Sequence, residues 1–152
     1  MTEDHEPRLF ADDEAIRHVG EGMLACTLPK AEWTHEAHIA TCAWLILERP
    51  DVVAERDLPH LIRRYNESVG GVNSDTEGYH ETITQAFVIG VRQALARDGA
   101  GGTLLRRVNA LLRSPEGARE WPLRYYSKEV LFSSEARLGF VSPDLQPLPP
   151  QR

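Results

Sequence analysis

The stretch from residue 32 to residue 42, Glu-Trp-Thr-His-Glu-Ala-His-Ile-Ala-Thr-Cys, constrains the fold more than any other part of the chain. Residues three, four, seven and eleven positions apart share one face of an α-helix. Counted from the first histidine, that face carries His35, His38, Ile39, Cys42 and Ile46. Thr34 is the predicted N-cap, because its hydroxyl can accept a hydrogen bond from a first-turn N–H. The stretch therefore predicts a buried helix that carries two imidazoles near its N-terminal end.

A second stretch, Glu-Gly-Tyr-His-Glu-Thr-Ile-Thr at residues 77–84, follows the same layout. Its helical face comprises His80, Ile83, Thr84, Phe87, Val91, Ala94 and Leu95. Ser74 and Glu77 are three residues apart, which predicts a capping box at the start of this helix. Two helices with matching layouts would bring three imidazoles together at one end of a helical bundle.

The rest of the chain favours the same fold class. Helical periodicity recurs between turn signals, and no period-two alternation is long enough to predict a sheet. With 152 residues the chain has the size of one domain. We predict an all-α bundle of five or six helices at residues 12–141, after a flexible lead-in at 1–11 and before an extended, proline-rich tail at 142–152. Pro59 is predicted to mark a new first turn within the third helical segment.

Composition excludes several classes of function. A net charge of −6 argues against nucleic acid as a partner. No apolar run approaches the roughly 20 residues of a membrane span, and no secretory signal is visible at the N-terminus. The cysteines, Cys26 and Cys42, match no CxxC pattern and suit a reducing compartment. We therefore expect a cytoplasmic protein that takes a small-molecule ligand or forms a homodimer through an apolar helix face.

A metal site is the first hypothesis for the histidines. Neutral imidazole is the commonest side-chain metal ligand, and three protein ligands plus a water make a typical catalytic zinc site. His35, His38 and His80 are the predicted ligands of a transition ion, zinc or iron, whose bound water would supply hydroxide. Glu81 is the predicted catalytic base, with Glu36 as the alternative.

A dinuclear site is a variant of the same hypothesis. Glu32 and His35, like Glu77 and His80, are Glu-x-x-His pairs, as in di-iron carboxylate bundles. Such a site needs two further glutamates, and only Glu67 is a candidate. The zinc-protease signature H-E-x-x-H does not occur at either histidine pair.

A metal-free pocket and a scaffold are the alternatives. Polar side chains that cluster in sequence could surround a small ligand, with His80 as acid or base: Tyr65, Asn66, Asn73, Tyr79 and Thr84. A relay with Cys42 as nucleophile is disfavoured, because burial raises the pKa of a thiol. A non-catalytic scaffold or regulatory partner would use the histidines only as hydrogen-bonding links between helices.

Several motifs resemble those of a known group of proteins. They are Trp33-Thr34-His35-x-x-His38, Tyr79-His80-Glu81-Thr82-Ile83-Thr84, Tyr126-Ser127-Lys128-Glu129 and Val141-x-Pro143-Asp144. Over most of the chain they are similar to a widespread group of small bacterial all-helical proteins of unknown function. The resemblance implies no activity, but it implies that the C-terminal segment packs near the site and brings Tyr126 or Ser127 to the ligand. More distantly, the bundle is similar to DinB-like metal-binding proteins.

Overall fold

The computed structural model describes residues 6–99 and 101–150, in which helices and turns are joined by loops and no strand occurs. The α-helices are α1 (Asp13–Ala25), α2 (His35–Glu48), α3 (Ala54–Ser68), α4 (Glu81–Asp98), α5 (Leu104–Arg113), α6 (Lys128–Leu131) and α7 (Ser134–Leu138). Turns of 3₁₀ helix occupy Lys30–Glu32, Pro115–Gly117 and Trp121–Arg124. The all-α prediction is confirmed. The helix count of the described residues exceeds five or six because the C-terminal helical piece is divided into two short helices.

The predicted lead-in and tail extend beyond the described part of the chain. Residues 1–5 of the lead-in and residues 151–152 of the tail lie outside the described residues. Residues 6–10 and 147–150 have no regular secondary structure, and α1 begins at Asp13 after the cap Asp12. Among the described helices, none combines the length and the apolar character that crossing a membrane requires.

Helix α2 lies at the centre of the bundle, with α1, α4 and α5 packed around it. Its residues are buried on nearly every face, including Ala40, Ala43 and Leu45, each with no exposed surface. The indole of Trp44 fills the space beside Gly20 of α1, where a Cβ would collide with the ring. Gly20 therefore allows α1 and α2 to pack closely at Trp44.

Helix caps explain where these elements begin. The Thr34 hydroxyl accepts from the N–H of Ala37 at 3.1 Å, as predicted. The prediction that Ser74 and Glu77 form a capping box at the start of this helix is wrong, because Gly78 adopts a φ of +80° that interrupts the helical path. The hydroxyl of Ser74 instead accepts hydrogen bonds within a turn. Helix α4 begins three residues after Gly78, and its cap is His80, whose Nδ1 accepts from the N–H of Ile83 at 3.1 Å.

Helix α3 continues through Pro59 instead of restarting there. A proline within a helix lacks the N–H that would bind the carbonyl four residues earlier, here that of Glu55. Gln85 of α4 supplies this bond, since its Nε2 donates to the Glu55 carbonyl at 2.9 Å. Arg92 of α4 also forms an ion pair with the Glu55 carboxylate. Helix α4 therefore satisfies the position that the proline leaves without a donor.

The C-terminal segment, residues 126–145, docks on the start of α4. His80 Nε2 donates to the Leu131 carbonyl at 2.7 Å. The Thr82 hydroxyl donates to the Gly139 carbonyl at 2.9 Å and accepts from the N–H of Val141 at 3.1 Å. Tyr126 closes the segment on itself, donating from its hydroxyl to the Val141 carbonyl at 2.7 Å. These bonds give His80 and Tyr126 a structural task at the end of the bundle.

Candidate functional site

A cavity of about 690 Å³ lies between α2, α3 and α4, which is within the usual size range of small-molecule sites. The residues of the apolar wall are Ile39, Leu58, Ile62, Ile83, Phe87 and Val88. The residues of the polar wall are Trp33, Thr34, His35, His38, Thr41, Cys42 and Thr84, and along α2 and α4 they alternate with the apolar ones. Charged side chains complete the lining: Glu6, Arg8, Glu36 and Arg119. The cavity therefore has the apolar surface and the small number of polar groups that are typical of a binding pocket.

His38 presents a neutral imidazole to this cavity. Its Nδ1 lies 2.7 Å from the carbonyl of Thr34. A carbonyl only accepts, so the proton is on Nδ1 and the lone pair is on Nε2. Burial lowers the pKa of His38 to about 4, and the positive charge of Arg119 acts in the same direction. The indole of Trp33 covers the ring with a centroid separation of 3.9 Å, which fixes its orientation.

His35 has the opposite tautomer. Its Nε2 donates to the carbonyl of Gly117 at 2.8 Å, so the lone pair is on Nδ1. Burial lowers the pKa of His35, and the charge of Arg119 lowers it further. The edge of Phe87 contacts the ring from α4, with centroids 5.5 Å apart. Near neutral pH both imidazoles are therefore uncharged, and each has one lone pair without a partner among residues 6–99 and 101–150.

A buried carboxylate holds the turn that binds His35. Glu116, only 3% exposed, accepts from both terminal nitrogens of Arg97 at 2.7 and 2.8 Å and from Gln93 at 3.0 Å. These donors lower the pKa of Glu116 to about 2, and the hydrogen bonds from Arg97 have the largest effect. The next residue is Gly117, where a Cβ would collide with the Leu111 carbonyl. The ion pair and the glycine together fix the carbonyl that sets the His35 tautomer.

Two polar atoms on the cavity wall are buried and lack hydrogen-bond partners within the described residues. They are the indole Nε1–H of Trp33 and the hydroxyl of Thr41, whose side chain is 1% exposed overall. Buried polar groups in proteins are almost always hydrogen-bonded, so each exception needs an explanation. A molecule bound in the cavity would provide the missing partners once a local side-chain movement exposes the two atoms.

The structure brings together two of the three predicted metal ligands. His35 and His38 line the cavity, whereas His80 does not. Both ring nitrogens of His80 are occupied, one by the helix cap and the other by the Leu131 carbonyl. No group of three or more His, Cys, Asp or Glu side chains in the described part of the chain is arranged to hold a metal ion. The residues present therefore do not fit a site made of all three histidines, and the bound transition ion stays a prediction.

Glu81 and Tyr79 form a pair of their own outside the cavity lining. The Tyr79 hydroxyl donates to Glu81 Oε1 at 2.6 Å, and Gln85 donates to the other carboxylate oxygen at 3.2 Å. Burial raises the pKa of Tyr79, and its hydrogen bond to Glu81 raises this pKa further. This arrangement places the predicted base, Glu81, in a link between the start of α4 and its second turn.

The other predicted ligand-binding residues occupy different places. Thr84 lines the cavity. Tyr65 does not line the cavity. The centroid of its ring lies 5.3 Å from that of Trp33, and its hydroxyl donates to the Leu28 carbonyl at 2.7 Å. Asn66 donates to Asn73 in the loop before α4. Tyr126 has no exposed surface, and burial raises its pKa to about 12. Among these residues only Thr84 is placed to contact a ligand in the cavity directly.

Cys42 is a wall residue with little nucleophilic character. Burial raises the pKa of its thiol to about 12, and it is 5% exposed. A thiol that stays protonated cannot serve as an efficient nucleophile near neutral pH. We therefore assign Cys42 to the lining of the cavity.

Arg119 and Thr41 belong to the cavity, although sequence reasoning missed them. Thr41 lies on α2 three residues after His38, and this helical spacing was a usable signal. Arg119 lies in the loop after the 3₁₀ turn at Pro115–Gly117, 81 residues from His38, where no local pattern relates it to the site.

The C-terminal part of the chain exposes several large apolar side chains: Phe132, Leu138, Phe140 and Leu145. The homodimer stays a prediction.

No protein-family model, curated protein or solved structure matches the chain.

Proposed function

We propose that the protein binds a small, largely apolar organic molecule in the cavity, with His35 and His38 as neutral hydrogen-bond acceptors. The observation that carries the proposal is that one cavity is lined by two imidazoles that each keep a free lone pair and by two residues that each carry an unpartnered polar atom. The apolar side chains of the lining supply the affinity that burial of apolar ligand surface provides.

The protonation state favours recognition over proton transfer. A general base works best when its pKa is close to the working pH. The pKa of His38 is about 4, so its imidazole is a weak base near pH 7 but a good acceptor. The opposite tautomers of His35 and His38 are each held by a backbone carbonyl, so the two acceptors are oriented before the ligand arrives.

A transition metal is the second candidate occupant, because two imidazole lone pairs line one cavity. Such an ion would take its remaining ligands from solvent or from a bound molecule. Elemental analysis of the purified protein distinguishes this case: about one zinc or iron per chain, absent from His35→Ala and His38→Ala variants, would replace the metal-free proposal.

The direct test is ligand-observed NMR with a library of small ring compounds, followed by ¹⁵N spectra of the histidine side chains. We expect binding compounds to shift the resonances of His38 Nε2 and His35 Nδ1. The His38→Ala variant should lose binding, whereas His60→Ala, at an exposed position on α3, should retain it. Circular dichroism establishes that both variants are folded. Failure of every compound to bind the wild-type protein, or equal binding by folded His38→Ala, would overturn the proposal.

A further inference from the structure

The chemistry of the cavity also restricts the class of ligand. On the premise of the proposed function, we propose that the ligand is a hydroxylated aromatic carboxylate: an apolar ring with a hydroxyl at its buried end and a carboxylate at the cavity mouth. Three features of the cavity carry this inference, and each restricts a different part of the molecule.

The hydroxyl follows from the unpartnered atoms of the polar wall. Trp33 Nε1–H can only donate, whereas His38 Nε2 can only accept in its neutral form. The two rings lie with their centroids 3.9 Å apart at an angle of 35°, so one ligand group that binds both would have to donate and to accept. A hydroxyl both donates and accepts, and it adds no charge to an interior where ionisation is costly. The buried Thr41 hydroxyl offers a further partner on the same wall.

The ring follows from the apolar wall and its aromatic member. Phe87 faces the cavity from α4, with Ile83 one turn before it and Val88 beside it. Aromatic rings pack against each other in offset or edge-to-face arrangements that add to the energy of area burial. A flat ring therefore suits the apolar side chains of this lining better than a polar or highly branched body does.

The carboxylate follows from the charge at the mouth. Of the charged side chains that line the cavity, Arg119 is the one whose charge lowers the pKa of both imidazoles. It has no ion-pair partner among the residues described, and the same is true of the Arg8 side chain. Glu6 and Glu36 also line the cavity, and the charge of Arg119 contributes to the lowered pKa of Glu36 as well, so a ligand carboxylate would share the guanidinium groups of Arg8 and Arg119 with these side chains. Two guanidinium groups without an ion-pair partner among the described residues favour an anionic group, and a carboxylate matches their paired donors.

Three related compounds test the two polar ends separately. They are para-hydroxyphenylpropionate, phenylpropionate, which lacks the hydroxyl, and para-hydroxyphenylpropionamide, which lacks the charge. Isothermal titration calorimetry with the wild-type protein should give the highest affinity for the hydroxylated acid. We expect each of the other two to bind about tenfold more weakly, because each loses one set of hydrogen bonds.

Variants assign each loss to a residue. Arg119→Gln should reduce affinity for the acid to that for the amide and leave the amide unchanged. Arg124→Gln removes the same charge at an exposed position outside the cavity lining and should change neither affinity. Trp33→Phe should remove the advantage of the hydroxylated acid over phenylpropionate. These three results together would support the proposed class.

The outcomes separate the ligand class from the proposed function. Equal affinity for acid and amide, or for the hydroxylated and unhydroxylated acids, would overturn the class even if binding in the cavity is observed. Binding of other library compounds with no binding of these three would also overturn the class and leave the proposed function standing. No binding by any compound, with His35 and His38 resonances unmoved, would overturn both.

Discussion

Replacement of Glu116 by glutamine is the perturbation with the clearest expected size. The carboxylate has an ordinary pKa of 4.5 that falls to about 2 in the folded protein, mainly through its bonds to Arg97. Each unit of such a shift corresponds to about 1.4 kcal/mol, so the charged form contributes about 3 kcal/mol to folding at neutral pH. The side chain of Arg97 is 54% exposed, so solvent partly screens the pair. We therefore expect Glu116→Gln to lower the free energy of unfolding by about 2 to 3 kcal/mol at pH 7.

The pH dependence gives this prediction its sign. The folded state holds Glu116 ionised at pH values where the unfolded chain already binds a proton. The stabilisation is therefore complete above about pH 4.5 and declines as the pH falls toward about 2. Urea unfolding at pH 7 and at pH 3 measures both values for the wild-type protein and the variant. The difference between the two proteins should be smaller at pH 3.

A surface pair provides the control. Glu14 pairs with Arg17 on α1, and its side chain is 83% exposed, so Glu14→Gln should lower the free energy of unfolding at pH 7 much less than Glu116→Gln does. The reasoning fails if Glu116→Gln costs no more than this control, or if its cost is the same at pH 3 as at pH 7. A further readout follows from the site: loosening the turn at Gly117 should shift the ¹⁵N resonance of His35 Nε2, and Glu14→Gln should leave it in place.

Three further perturbations test other parts of the structure. In an NMR titration, His38 should remain neutral on acidification until the pH approaches 4, because burial lowers its pKa. A titration midpoint near 6.5 would contradict its buried placement. Gln85→Leu should lower the free energy of unfolding by about 1 kcal/mol, because the Glu55 carbonyl loses its donor. The loss should be smaller in a Pro59→Ala background, where the helix supplies an N–H, and equal losses in both backgrounds would refute the link. Gly117→Ala should destabilise the protein by about 1 to 3 kcal/mol because the new Cβ collides with the Leu111 carbonyl, whereas Gly139→Ala, with no atom within 4 Å of its Cβ, should be nearly neutral. A stability of Gly117→Ala equal to that of Gly139→Ala would contradict the close contact.

The sequence predicts which side chains of α2 line the site better than it predicts the residues that complete the site from elsewhere in the chain. Periodicity from His35 identifies His38, Ile39 and Cys42, all of which line the cavity. This succeeds because a helix fixes which side chains share a face. Arg119 and the carbonyl of Gly117 come from a distant turn, and their positions depend on tertiary packing that local patterns do not encode.

The start of α4 shows how a helical pattern can give the right face and a wrong boundary. Ser74 and Glu77 have the spacing of a capping box, but that pattern cannot reveal that Gly78 turns the chain away from a helix before α4. Pro59 led to a similar error, since a proline usually marks a helix end or a first turn. Its continuation through α3 depends on a donor from Gln85, 26 positions later in the sequence.

The histidines of α2 and α4 differ in the number of ring nitrogens that the backbone uses. His80 caps α4 with one nitrogen and holds the Leu131 carbonyl with the other, so its ring joins the C-terminal segment to the bundle and retains no free lone pair. His35 and His38 each use one nitrogen to bind a carbonyl and leave the other for the cavity. Equivalent spacing on two helices therefore produces two roles, because a ring that caps a helix and also binds the backbone has no atom left for a ligand. We infer that ligand recognition belongs to the start of α2, and that Ile83, Phe87 and Val88 of α4 supply part of the apolar wall.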